Sequence, residues 1–256
     1  MINERGSDRT IQSLKTGFKI IELLRDQDGG YLTDVSTQLD IPKSTAYQYL
    51  DTLEEIGYLV KEDSKYELSL NFVSLGEYAR TRKEAYTLAK PMVQQLADKT
   101  GERAQFLIEE HGRGIYLYTD QGSQGVQTDR WIGEQRYLHS SAGGKAILAY
   151  SETRRVKKII DQIGLPAETQ NTITESEKLF RELEEITERG YSINNEESID
   201  GLRGIGVPVI GPDDMIFGAF SISGPIQRFS GDWFQEELPD LLLGTANELE
   251  LRLKYL

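Results

Sequence analysis

The chain reads as an α+β protein, with a winged helix-turn-helix first, a helical linker next, and then a larger domain in which helices flank an antiparallel sheet. Three observations predict this. Three short helical periodicities and a hairpin pattern fill residues 1–70. Helical spacing without strand signals covers 71–100. Residues 101–256 place strand patterns on both sides of a helical middle, the arrangement of an α+β domain.

The first element rests on Leu14, Gly17, Phe18, Ile21 and Leu24, which recur at helical intervals after Ser13, a residue suited to cap a helix. Asp28-Gly29-Gly30 breaks the chain, and Leu32, Val35 and Leu39 outline a short second helix. Asp40-Ile41-Pro42 is a tight turn. A third helix starts at Lys43-Ser44, with Ala46, Leu50, Leu53 and Ile56 as its buried side and Gly57 at its end. Tyr58-Leu59-Val60 and Tyr66-Glu67-Leu68-Ser69-Leu70 flank a polar turn and read as a two-stranded wing. So short a connection between the second and third helices defines a helix-turn-helix, whose third helix would enter a major groove. The exposed face of that helix is expected to carry Lys43, Ser44, Thr45, Tyr47, Gln48 and Tyr49, with Lys61 and Lys65 on the wing. Gln can bond both edge atoms of adenine, Ser and Thr can bond bases or phosphates, and Lys can pair with phosphate or guanine.

Phe72, Val73, Leu75, Tyr78 and Ala79 form one apolar cluster of the linker, a candidate dimer contact. Leu88, Met92, Val93, Leu96 and Ala97 form another, with Pro91 as a possible helix start and Gly101 as its end. Beyond it, strands are expected near 104–110, 115–119, 191–195, 205–210 and 215–223, and helices near 142–150, 152–163, 176–189 and 233–253. Trp131 and Tyr137 are core or pocket candidates in the mixed stretch between 125 and 138.

Composition narrows the chemistry. Among 256 residues there is no cysteine, which excludes disulfides, zinc fingers and thiol catalysis, and the two histidines, His111 and His139, leave little for a metal site. No cofactor is expected. No apolar run approaches the roughly 20 residues of a membrane span, the first residues lack a signal-peptide layout, and a soluble cytoplasmic protein is the natural reading. The net charge of −13 argues at first against a nucleic-acid partner. It is spread over the chain, −5 in residues 1–70 and −8 in the rest. Carboxylate-rich surfaces of this kind keep proteins hydrated in a high-salt cytoplasm, although an ordinary acidic protein that binds no DNA would have the same balance. Residues 41–50 carry Lys43 and no carboxylate before acids resume at Asp51, so the third helix is the least acidic part of its unit.

Several runs resemble the IclR family of regulators. Ile41-Pro42-Lys43-Ser44-Thr45 with Leu50 and Leu53-Glu54-Glu55-Ile56-Gly57-Tyr58-Leu59 resembles its recognition-helix region. Leu138-His139-Ser140-Ser141-Ala142-Gly143-Gly144-Lys145-Ala146-Ile147-Leu148-Ala149 resembles its sensor signature, as do Arg189-Gly190-Tyr191, Glu196-Glu197, Gly201-Leu202-Arg203-Gly204-Ile205, Pro208 and Ser221-Ile222-Ser223-Gly224-Pro225. The resemblance implies a GAF-like C-terminal domain that binds small organic acids or aromatic or sugar-derived metabolites, and a homodimer or homotetramer that binds a double-stranded operator as repressor or activator. It implies an effector pocket lined by Ala142, Gly143, Asn194, Gly204, Ser221 and Ser223. The first turn of a helix at Ala142 could hold a carboxylate, and the two serines share a strand face because they are two apart. Asn194 stands where some relatives have an acid, and Gly204 where many have Cys.

Catalytic motifs fail by spacing. Gly143-Gly144-Lys145-Ala146 lacks the earlier glycine and the following Ser or Thr of a phosphate loop, with His139 and Ala146 at those positions. Glu109-Glu110 and Glu196-Glu197 are neighbours on strands and point to opposite faces. No catalytic residue is expected, which leaves a protein-docking winged helix or a small-molecule enzyme as the alternatives to a regulator.

Overall fold

The structure, a computed structural model, describes residues 10–125 and 132–256, so Trp131 lies outside the described residues. It divides into two compact units, Met1–Ala79 and Arg80–Leu256.

The first unit runs α1 (Gln12–Asp26), β1 (Gly30–Tyr31), α2 (Leu32–Gln38), α3 (Lys43–Glu55), β2 (Leu59–Glu62), β3 (Lys65–Leu68) and α4 (Asn71–Thr81), the last ending just past the boundary. Its core is Ile20, Leu24, Val35, Ala46, Leu50, Leu59 and Tyr66, and burying each large aliphatic side chain contributes about 1.5–3 kcal/mol. The Asp34 carboxylate accepts the Tyr31 N–H at 2.9 Å and so caps α2. Between α2 and α3 the chain turns at Asp40, which has φ +50°. Ser36 holds both ends of that turn, with its carbonyl accepting from Ile41 N at 3.1 Å and its hydroxyl donating to Ile41 O at 2.8 Å. Asp63 and Ser64, both at positive φ, make the two-residue turn that matches hairpin twist.

Four expectations are corrected here. The cap of α1 is Ile11 and not Ser13. Leu14 and Phe18 are exposed, and Ile20 takes the core position with Leu24, because the apolar stripe of α1 is wider than the face its own unit covers. Ile56 is exposed where α3 ends. A third strand, β1, joins the wing by pairing Gly30 with Tyr66 and Tyr31 with Lys65.

The second unit runs α5 (Glu84–Thr100), β4 (Arg103–Glu110), β5 (Arg113–Gln121), β6 (Gln135–Tyr137), α6 (Ala142–Ala149), α7 (Thr153–Ile163), α8 (Ser176–Arg189), β7 (Ser192–Asn195), β8 (Leu202–Ile210), β9 (Ile216–Pro225), a short π-helical turn (Trp233–Glu237) and α9 (Leu238–Leu253). Helix α5, which sequence spacing places in a linker, packs in this unit's core through Ala89, Met92, Val93, Leu96 and Ala97. It runs through Pro91 and does not start there. The ring lies on the exposed side, where the carbonyl it orphans can be solvated.

The six strands form one antiparallel sheet in the order β6-β5-β4-β9-β8-β7. Helices α5 and α9 cover one face around Phe106, Val207, Phe220 and Leu242. Helices α6, α7 and α8 cover the other around Leu107, Ala146, Val156 and Leu183. Helix α6 lies so close to the sheet that a Cβ on Gly206 would stand 2.5 Å from the Ala142 carbonyl carbon and from Gly143 N. Among the described residues no helix is long and apolar enough to cross a membrane.

Candidate functional site

Two surfaces carry the residues singled out from sequence, one in each unit. On α3, Lys43, Ser44, Tyr47 and Gln48 are exposed, Thr45 is half-buried, and the buried face is Ala46 and Leu50. Tyr49 corrects the expectation of an outward residue. One position before Leu50 and three after Ala46, it falls on the core flank and packs against that cluster. On the wing, the Lys61 ammonium sits 4.9 Å from the centre of the Tyr66 ring, and the Tyr66 hydroxyl raises its pKa above the ordinary lysine value. Lys65 pairs with Glu67 at 2.8 Å, which also raises its pKa. Of these two cations Lys65 is therefore the one already committed to a carboxylate.

In the second unit, strand register gathers the six pocket candidates. Asn194 pairs with Gly204, Gly204 with Ser223, and Ser223 with Arg103 in one row across the sheet. The next row is Ser192, Gly206, Ser221 and Gln105. Helix α6 starts over these rows, so Ala142, Gly143, Asn194, Gly204, Ser221 and Ser223 all border one small cavity with room for about one water molecule. Tyr116 reaches it because a β-bulge between Phe106 and Leu107 shifts the register of β5. Leu202 and Ile222 supply apolar wall, and among the described residues no ionisable acid or base other than the Tyr116 phenol borders the space.

The start of α6 is built to present N–H groups. Ser141 caps it, its hydroxyl accepting from Gly144 N at 3.2 Å while its carbonyl accepts from Lys145 N at 2.9 Å. The N–H groups of Ala142 and Gly143, at the first two helical positions, have no acceptor within the helix. Asn194 is mostly committed to structure. Its amide nitrogen donates to Ser140 O and Ser198 Oγ, each at 2.9 Å, and its oxygen accepts from Glu197 N at 2.9 Å.

Sequence reasoning missed Gln105, which lines the cavity from β4 at 1% exposure. Its oxygen accepts from the Ser221 hydroxyl at 3.1 Å, and its amide nitrogen is buried with no partner among the described residues. The available signal was a lone amide within the otherwise apolar run Ala104–Ile108. Also missed was the buried charge network one turn along α6. Lys145 Nζ donates to Glu197 at 2.7 Å and Glu182 at 3.3 Å, and Arg189 donates to Glu182 at 3.0 Å. Burial pushes the Glu197 carboxyl up, against the pull of Lys145.

The connection over residues 164–175, unread in the sequence, ties down the approach to α6. Pro166 O meets His139 Nε2 at 3.1 Å, Glu168 pairs with Arg136 at 3.1 Å and accepts from Ser140, and the Thr169 and Thr172 hydroxyls donate to the carbonyls of Glu196 and Glu197 at 2.7 and 2.6 Å. Burial lowers the His139 pKa, so its ring is neutral near pH 7 and can donate to Pro166 through Nε2.

Residues 13–63 match a family model described as the IclR helix-turn-helix domain, and residues 79–250 match one described as bacterial transcriptional regulator IclR C-terminal. The probable HTH-type transcriptional regulator ArcR of Halobacterium salinarum is 34% identical over 253 residues, covering 97% of this chain and 96% of its own. The crystal structure of a Thermotoga maritima IclR superposes with a TM-score of 0.79 at 27% identity, covering 96% of this chain and all of that one. That of an IclR homologue from Microbacterium hydrocarbonoxydans, complexed with 4-hydroxybenzoate, does so at 0.74 and 22% identity, covering 89% and 92%. With family models spanning both units and a full-length relative at this identity, the chain belongs to the IclR family of transcriptional regulators, DNA-binding proteins with a C-terminal effector domain and not enzymes.

Proposed function

We propose that the chain reads its operator through the outer face of α3, with Ser44, Tyr47 and Gln48 at its centre and Lys43 and Thr45 beside them. The wing lysines Lys61 and Lys65 then contact backbone phosphate. The observation that carries this reading is the exposure of these polar side chains on a stretch with no carboxylate before Asp51. Base contacts specify and phosphate contacts position, so the amide of Gln48 is the principal reader and the lysines set register.

A small carboxylate in the α6 cavity modulates that affinity. Uncharged donors at a helix N-terminus favour an anion, and the space, with room for about one water molecule as it stands, opens least for a compact acid. The functional species is a homodimer or a larger assembly. Ile11, Leu14 and Phe18 on one side of α1, and Val73, Leu75 and Tyr78 on α4, are exposed apolar residues that a second copy would cover. The acidic surface suits a high-salt cytoplasm.

Fluorescence anisotropy with fragments of the source genome, with and without a panel of acids, tests the reading. The expected result is one fragment bound well above random DNA, with an affinity that shifts when a compact acid is added. Equal binding to every fragment, in every ligand condition, overturns it.

A further inference from the structure

We infer that Gln105 is a specificity-determining residue of the α6 cavity, donating its amide N–H to a ligand carboxylate together with the first N–H groups of α6. The inference rests on the effector reading above and names a residue which that reading does not contain. Gln105 sits on the central strand β4, 1% exposed, beside Ser221 in register. Its oxygen is occupied by the Ser221 hydroxyl, so the open half of the amide is the half that donates.

A buried amide nitrogen without a partner is costly in a folded protein and rare. Here Gln105 borders the same cavity as Ala142 and Gly143, whose N–H groups have no helical acceptor. Donors converging from a strand and from a helix terminus, with no carboxylate among the described residues of the wall, match a ligand that brings only acceptors at that end. A carboxylate does so, and a primary amide does so with one of its two polar atoms. In the conformation described, the cavity is closed to about one water molecule. Any acid that reaches Gln105 therefore requires the walls to move, a short-chain one least and a ring-sized one most.

The test uses the full-length protein with pyruvate, benzoate and pyruvamide as probes, followed by calorimetry and by the side-chain amide signal of Gln105 in ¹⁵N-labelled wild type. Pyruvate is expected to bind tighter than benzoate and to shift that signal. Gln105→Leu should weaken pyruvate about 10- to 100-fold, the range for one hydrogen bond to a charged group. Gln105→Glu should weaken it further while weakening pyruvamide less, because only the acid meets like charge. Ser223→Leu, which fills the cavity, should abolish binding of all three. Should pyruvate bind wild type and be lost in Ser223→Leu, yet leave the Gln105 signal and the affinities of both Gln105 variants unmoved, the role of Gln105 is overturned and the effector site stands. Should no acid bind wild type, both fall. The amide signal is read in wild type, so misfolding of a variant does not protect the inference.

Discussion

Removing the ammonium of Lys145 isolates a buried carboxylate, and the consequence can be worked from the structure. Lys145 and Glu197 have side chains 1% and 8% exposed and lie 2.7 Å apart. Glu197 also has one buried oxygen with no partner among the described residues, so Lys145 is the main group keeping it ionised. Truncating one member of such a pair costs about 3–5 kcal/mol, because the other charge is left in a low-dielectric site. At 2–4 °C per kcal/mol for a unit of this size, Lys145→Met should lower Tm by roughly 6–20 °C. Adding Glu197→Gln should recover a large part, since it removes the stranded charge.

The pH dependence has a definite sign. Burial raises the folded pKa of Glu197 above its unfolded value, so the folded state holds the proton more tightly. That contribution is complete below the unfolded pKa and is lost as pH rises through the folded one. Without Lys145 the folded pKa rises further, so Lys145→Met should regain stability on acidification relative to wild type. Circular-dichroism melts of wild type, both single variants and the double variant, each at several pH values, measure all of this. A loss under 2 °C, or a double variant no more stable than Lys145→Met, would refute the claim that Glu197 depends on Lys145.

Gln48→Ala should cost about 1–3 kcal/mol on the cognate operator and far less on random DNA, an anisotropy measurement in which equal losses remove Gln48 from base reading. Tyr49→Ala should instead lower the melting temperature of the first unit, since Tyr49 packs against its core; an operator defect in a fully stable variant would return it to the reading face. Gly206→Ala should destabilise the second unit by about 1–3 kcal/mol by forcing α6 off the sheet, and denaturant unfolding with an unchanged midpoint would contradict that packing. Burial depresses the His139 pKa, so its stabilising contribution is present above the unfolded histidine pKa and is lost as pH falls toward the folded one. His139→Gln should flatten stability between pH 7 and 5, and an unaltered slope in melting curves would discount it. With few cations on the DNA-facing unit, the salt slope of binding should fall well short of that for a protein neutralising about 8 phosphates.

The helix-turn-helix was legible because its signals are local. Asp40-Ile41-Pro42 marks the turn, Ala46 and Leu50 mark the inner face of α3, and the polar stretch 61–65 marks the wing. Tyr49 was misplaced because an aromatic at the edge of a helical face can turn either way, and only the packed core decides. Leu14 and Phe18 show the limit of periodicity. It says which residues need covering but not what covers them, and this unit covers Ile20 and Leu24 instead. Ser221 and Ser223 were placed on one strand face by their spacing of two, whereas Gln105, 116 positions before Ser221, had nothing local to tie it there.

From the sequence alone came a helix-turn-helix followed by an α+β domain, the outer face of α3 apart from Tyr49, and the residue types at the start of α6. Each depends on neighbours within a few positions, where spacing translates directly into geometry. Tertiary structure alone decided that β4 pairs with β9, that Gly206 admits α6 onto the sheet, that Lys145 and Glu197 meet 52 positions apart, and that Gln105 faces a cavity with its amide nitrogen open. These contacts follow from which strands share hydrogen bonds and how tightly layers pack, and both are settled by the whole chain burying its surface at once.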